Sequence, residues 1–196
     1  MNNILYLDDY INIYNLKNNK LITIKPYKNT LENGLIIDKD KFNKKLKWII
    51  NNNKLEKGIL SDSITVITNN LYKNIHKEIL KKLLEDINYG KVTFINELDF
   101  LKLERGKLFI NCNNSYFYFL YLNKYGNTEL NLYKKDFINL NNLKNIIDIL
   151  KITEIYLYGK NYNEIKNILN REKINYYYFD DGDNLIIKML IDNKKV

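Results

Sequence analysis

The chain has 196 residues, 45% hydrophobic and 28% charged, proportions that exclude a chain disordered beyond its ends and fit a folded globular protein. Its formal charge of +8 admits nucleic acid or an anionic surface as partner. The lysines, however, run through the whole chain alongside abundant Asn, Ile and Tyr, as AT-rich coding sequence produces, so the charge alone marks no anion-binding face.

The single cysteine, Cys112, excludes an intramolecular disulfide and fits a reducing compartment. The chain runs at once into Ile4–Leu7 with polar residues on both sides, so no signal peptide and a cytoplasmic location are expected. The densest apolar run, Tyr116 to Leu122, is far shorter than the roughly 18 residues a membrane helix needs.

Ile4 to Leu7 reads as a strand ended by Asp8-Asp9. Tyr10 to Leu16 alternates with period two and reads as a second strand. The Asn18-Asn19 pair suits a turn with positive φ, and Leu21 to Ile24 is a third strand stopped by Pro26. These three form an antiparallel meander. Asp40 is placed to cap a helix whose apolar face is Phe42, Leu46, Ile49 and Ile50, ended by Asn51 to Asn53. Ile64 to Ile67 suits a buried strand. Asn70 then leads a helix with Ile75, Ile79, Leu83, Leu84 and Ile87 on one stripe, stopped by Gly90. Val92 to Ile95 is another strand.

The order then restarts near Gly106. Strands are expected at Leu108–Ile110, Tyr116–Leu122 and Leu130–Tyr133, with a turn at Tyr125-Gly126-Asn127. A helix carries Leu140, Leu143, Ile146, Ile147 and Leu150; a strand covers Ile155–Tyr158; a helix carries Tyr162, Ile165, Ile168 and Leu169. Tyr176–Phe179 is a strand, and Leu185 to Leu190 adds a last one. The expected fold class is α/β: two duplicated ribonuclease-H-like halves, residues 1–105 and 106–196. Each holds a mixed five-stranded sheet, three strands as an antiparallel meander and the rest joined by right-handed parallel crossovers, with helices packed on it.

This doubled order resembles the actin-like ATPase superfamily, and most nearly the bacterial rod-shape actins. Leu5 to Tyr27 lies without a gap on that family's opening strand, D-L-G-T phosphate hairpin and following strands, and Pro26 falls on the family proline. Gly34-Leu35-Ile36-Ile37-Asp38 matches the G-V-I-x-D stretch, and Glu97 follows the strand that ends in E-P-x-A-A. The resemblance covers almost the whole chain as order and spacing, with no room for the family's two inserted subdomains.

The family's chemistry is what the sequence departs from. Tyr6 stands at the Asp position of the first phosphate loop, with Asp8 and Asp9 replacing Gly and Thr. The second loop, D-x-G-G-G-T, becomes Asn111-Cys112-Asn113-Asn114-Ser115-Tyr116, without a glycine to let the backbone approach a phosphate. The adenosine motif becomes Gly159-Lys160-Asn161. The degenerate loop positions Asp8, Asp9, Asn113, Asn114 and Gly159 are therefore expected not to work as a nucleotide site, and no cofactor is expected.

Other candidates are weaker. Asp8-Asp9 and Asp180-Asp181-Gly182-Asp183 could hold a cation, but the second run lacks the closing Glu of a twelve-residue Ca²⁺ loop, and a solvated turn between two strands is the preferred reading. His76 has no ligand at metal spacing, and Ser61, Ser63 and Ser115 lie in no nucleophile motif. Lys77, Lys81 and Lys82 read as a helix's solvated side, Cys112 as a core residue, and Trp48 as a core or rim residue. The 17 tyrosines can reflect β-propensity, a protein interface, or base stacking.

The expected function is a non-catalytic actin-like scaffold or interaction protein. It would bind a protein partner or itself in cell shape, division or a membrane-linked assembly. The alternatives are a non-catalytic partner subunit of an enzyme complex of the tRNA-modification type, and a basic nucleic-acid-binding module.

Overall fold

A computed structural model describes residues 3–8, 10–32, 34–53, 55, 63–69, 71–99, 101, 103–112, 116–134, 140–159 and 162–178. Asp180–Asp183 and the strand expected at Leu185–Leu190 lie outside them, as do Asn70, Ser61 and Ser115. The chain divides into two compact units, the first running to Leu101 and the second following it.

In the first unit, β1 (Asn3–Leu7), β2 (Ile11–Asn15) and β3 (Lys20–Ile24) form the antiparallel meander. A two-stranded hairpin follows, β4 (Leu31–Glu32) and β5 (Leu35–Ile36), which the alternation did not reveal because each strand is only two residues long. Then come α1 (Lys39–Asn52), β6 (Ser63–Thr68), α2 (Asn74–Glu85) and β7 (Lys91–Asn96). The sheet order is β3-β2-β1-β6-β7, with β6 parallel to both β1 and β7.

The second unit repeats this plan. It contains β8 (Lys107–Cys112), β9 (Tyr116–Leu122), β10 (Thr128–Lys134), α3 (Leu140–Leu150), β11 (Glu154–Gly159), α4 (Asn163–Arg171) and β12 (Tyr177–Tyr178). Its sheet order is β10-β9-β8-β11-β12, again with an antiparallel meander and two parallel pairs. Both sheets are mixed and five-stranded, as expected.

Each core lies between the helices and one face of its sheet. Leu5, Leu7, Ile11, Ile13, Ile64 and Val66 cluster with Phe42, Leu46, Ile49, Leu80, Leu83 and Leu84. In the second unit Leu108, Ile110, Cys112, Phe117 and Phe119 cluster with Leu143, Ile165 and Leu169. Full burial of one such aliphatic or aromatic side chain contributes about 1.5–3 kcal/mol, so these two faces fix strand register.

Three local expectations are corrected. The N-cap of α1 is Asp38, not Asp40: Asp38 has extended backbone, and its Oδ1 accepts the Lys41 N–H at 3.0 Å. Asp40 lies inside the first turn, where its charge still suits the helix dipole. Ile75 is off the buried stripe and 61% exposed. At about 100° per residue in a helix of 3.6 residues per turn, Ile75 lies roughly 140° around the axis from Leu80 and on the opposite side from Leu84. The buried stripe is Leu80, Leu83 and Leu84.

Gly90 does not stop α2, which ends at Glu85; Asn88 takes the left-handed conformation at φ 71°. The Tyr89 amide then returns to the Leu84 carbonyl at 3.1 Å. Lys151 (φ 51°) and Lys173 (φ 56°) do the same after α3 and α4, with Ile152 returning to Ile147 and Ile174 to Leu169. Asn and Lys thus close three helices where glycine is the common choice.

Candidate functional site

The opening strand β1 has both faces buried and ends at Leu7. Asp8 begins the tight connection to β2, and its geometry is that of an Asx turn. Asp8 Oδ1 accepts the Tyr10 N–H at 2.6 Å, while the Asp8 N–H donates to the Tyr10 carbonyl at 3.2 Å. The same oxygen accepts Asn12 Nδ2 at 3.2 Å, and that amide also reaches the Tyr6 carbonyl at 3.3 Å. Thr23 Oγ1 on β3 donates to Asn12 Oδ1 at 3.0 Å. A chain of polar contacts therefore crosses three strands, and both Asp8 and Asn12 are buried.

Tyr6 faces away from the apolar core and its hydroxyl donates to Glu97 Oε2 at 3.4 Å. Glu97 opens the 3-10 turn Glu97–Asp99 after β7 and is only 6% exposed. Burial pushes its carboxyl up to about 8; the Tyr6 hydrogen bond opposes this and the Asp8 charge adds to it. Near neutral pH Glu97 therefore stays largely protonated, because an ionised carboxylate there would lose water without gaining a cation.

Asp8 is thus the degenerate loop position that the structure sets in a built environment. Asp9, Asn113 and Asn114 lie outside the described residues. Gly159 ends β11 beside the end of β8, at φ +91°. A Cβ there would lie 2.6 Å from the Cys112 carbonyl oxygen and 2.9 Å from Asn111 Oδ1. Gly159 is therefore required by strand packing. Gly34, at the matched G-V-I-x-D stretch, has the equivalent constraint: φ is +81° and a Cβ would collide with the Leu7 carbonyl.

The remaining candidates take structural places. His76 Nδ1 accepts the Lys73 N–H at 3.1 Å, so it caps the start of α2. Cys112 is fully buried in the second core. Lys81 and Lys82 line a groove of about 490 Å³ with Lys39, Glu78, Glu85 and Asp86, where the two signs of charge balance. Trp48 is 49% exposed, a rim residue. Among the described residues no three His, Cys, Asp or Glu side chains gather as a metal-binding group, and no helix is long and apolar enough to cross a membrane.

No protein-family model matches the chain, and no match to its sequence is found among curated proteins. Solved structures do match. MreB5 of Spiroplasma citri bound to AMPPNP is 13% identical with a TM-score of 0.61, over 100% of this chain and 96% of that one. The ethanolamine utilization protein EutJ from Carboxydothermus hydrogenoformans is 7% identical with a TM-score of 0.60, over 96% and 87%. A Bacteroides thetaiotaomicron protein with an actin-like ATPase fold and unknown function is 12% identical with a TM-score of 0.53, over 97% and 95%.

The fold is that of the actin-like ATPases.

The sequence singled out Tyr6 and Glu97 separately but did not show that they meet. They are 91 positions apart, one on β1 and the other just past the end of β7, with β6 between those two strands. A tyrosine at the end of one strand and a glutamate just past the next but one was the available signal.

Proposed function

We propose that this actin-like chain is a non-catalytic scaffold or interaction protein, built from two duplicated halves at 1–105 and 106–196, that no longer hydrolyses nucleotide. The observation that carries this reading is the Asp8 turn. In a working phosphate hairpin, backbone amides face an incoming anion and glycine lets them come close. Here the Tyr10 amide is already taken by the Asp8 carboxylate at 2.6 Å. The hairpin holds its own anion, and a phosphate approaching it meets like charge.

The Tyr6–Glu97 pair supports the same reading. A metal-bound water network needs ionised or strongly polar groups open to solvent, whereas Tyr6 is 3% exposed and Glu97 is held protonated by burial. With hydrolysis gone, what remains for the fold to offer is surface, hence a protein partner or a second copy of the chain. Steady-state phosphate release with Mg-ATP tests the catalytic half of the proposal. Release at the buffer rate is expected. Turnover that Glu97→Gln abolishes would overturn it.

A further inference from the structure

The two sheets differ at their meander edges. In each, the third meander strand is outermost among the described residues: β3 in the first unit and β10 in the second. β3 has five residues, none of its apolar side chains is exposed, and Lys25-Pro26 follows it at once. Proline and lysine at an edge keep other strands away. β10 runs for seven residues, Thr128–Lys134, without proline or a break, and its Leu132 is 49% exposed. The ladder with β9 shows which backbone groups of β10 face the open edge. The hairpin between them closes with the Asn123 N–H on the Asn127 carbonyl at 2.8 Å. From there antiparallel pairs alternate between bonded and non-bonded, so Glu129, Asn131 and Tyr133 are the residues bonded to β9. The N–H and C=O groups of Thr128, Leu130, Leu132 and Lys134 point the other way, to the open edge.

We propose that two copies of the chain join at this edge, β10 pairing antiparallel with β10 of the second copy about a two-fold axis at Asn131. The strand is its own complement in that register. Leu130 falls opposite Leu132 of the second copy and Thr128 opposite its Lys134, so every backbone group on the open edge meets a partner. The leucines of both copies then share one face of the joined sheet, and the exposed part of Leu132 is covered. The charges are compatible too. Glu129 falls opposite Tyr133 and Lys134 opposite Thr128, so no like charges face each other across the joint. A slip of one residue would set open-edge groups against groups already bonded to β9. A strand from another protein would have to supply the complement that the second copy carries in its own sequence. One strand edge per copy is a small contact beside the roughly 1,200–2,000 Å² of a stable interface, so the dimer is reversible and forms at high concentration. The inference gives a surface to the second copy named under the proposed function, and its choice of partner rests on that reading.

Sedimentation velocity of the full chain over a concentration series should pass from monomer to dimer. Added salt should strengthen the dimer, because each copy carries +8 and the two repel. Leu132→Lys should lower the association constant on the order of tenfold, since the change enters the joint twice; circular dichroism should not change, because the position is exposed. Ile75→Lys, at an exposed apolar position on α2, should leave association as it is. Cross-linking reads the register. Opposed residues of a non-bonded antiparallel pair stand about 4.5 Å apart at Cα, inside the roughly 4.4–6.8 Å that a disulfide spans. Under mild oxidation Asn131→Cys should therefore give a covalent dimer. Leu130→Cys, which faces Leu132 rather than its own copy, should not, and Cys112 is fully buried and should stay unreacted. A monomer at every concentration with no Asn131→Cys cross-link, equal cross-linking of the two cysteine variants, or association indifferent to Leu132→Lys would each overturn the proposal. A chain that dimerises in this way and releases phosphate from ATP would fail the hydrolysis reading alone; one that does neither would fail this inference alone.

Discussion

The side chains beside the end of β1 and those beside the end of β8 occupy the same place in two sheets of one topology, yet share little chemistry. In the first unit the outward-facing row reads Thr23, Asn12, Tyr6, Ile67, Ile95 across all five strands. In the second, the row through the penultimate residue of β8 reads Leu132, Tyr118, Asn111, Tyr158. One row back, the first unit has Ile4, Thr65 and Thr93 where the second stacks Phe109 on Tyr156 at 4.8 Å and Tyr156 on Tyr177 at 5.1 Å. Topology is held by the helix-facing sides, which are apolar in both units. The other faces are free to diverge, one towards a buried tyrosine–glutamate contact and the other towards an aromatic ladder.

That contrast can be tested first where the units are alike. Phe42→Ala and Phe117→Ala each empty a fully buried site and should each cost about 3–5 kcal/mol in urea unfolding. A clearly smaller loss in one unit would show that the two cores are not equivalent supports. Next, each unit keeps a glycine where backbones meet. Gly34→Ala and Gly159→Ala both add a colliding Cβ at positive φ, and each should cost about 1–3 kcal/mol. A neutral Gly159→Ala would show that the approach of β11 to β8 does not require this glycine.

The buried acid sharpens the difference between units. Because the folded-state value of Glu97, about 8, lies above its ordinary 4.5, the folded chain keeps a proton that the unfolded chain loses between those values. The contribution is fully present below about pH 4.5, falls as pH rises towards about 8, and is gone above it. Glu97→Gln should flatten this slope in a pH series of thermal midpoints. An unchanged slope would show that Glu97 does not titrate as its burial requires. The smallest effect expected is for Asp8→Ala, which removes the carboxylate from the Tyr10 amide and should cost about 1 kcal/mol.

The strand order, both meanders and the restart between units were legible in the sequence because period-two runs and polar breaks are local signals. Helix boundaries were less so. The cap of α1 depends on which carboxylate can reach the Lys41 amide, and the end of α2 on Asn88 adopting a conformation usually left to glycine. Ile75 was misplaced because a run of four-residue steps drifts around the helix. At the candidate site, Asp8 was legible as a carboxylate closing the opening strand. Its consequence was not: the self-made hydrogen bond to Tyr10 and the Tyr6–Glu97 contact depend on three-dimensional approach, and the latter spans nearly the length of one unit.

Whether the Asp8 hairpin has replaced nucleotide with its own carboxylate is tested most directly by the thermal midpoint of the full chain with and without Mg-ATP. No change is expected up to millimolar nucleotide, because a ligand stabilises a fold only in proportion to its binding. A rise of several degrees would contradict the account, since the hairpin would then still accept phosphate despite the anion it already holds.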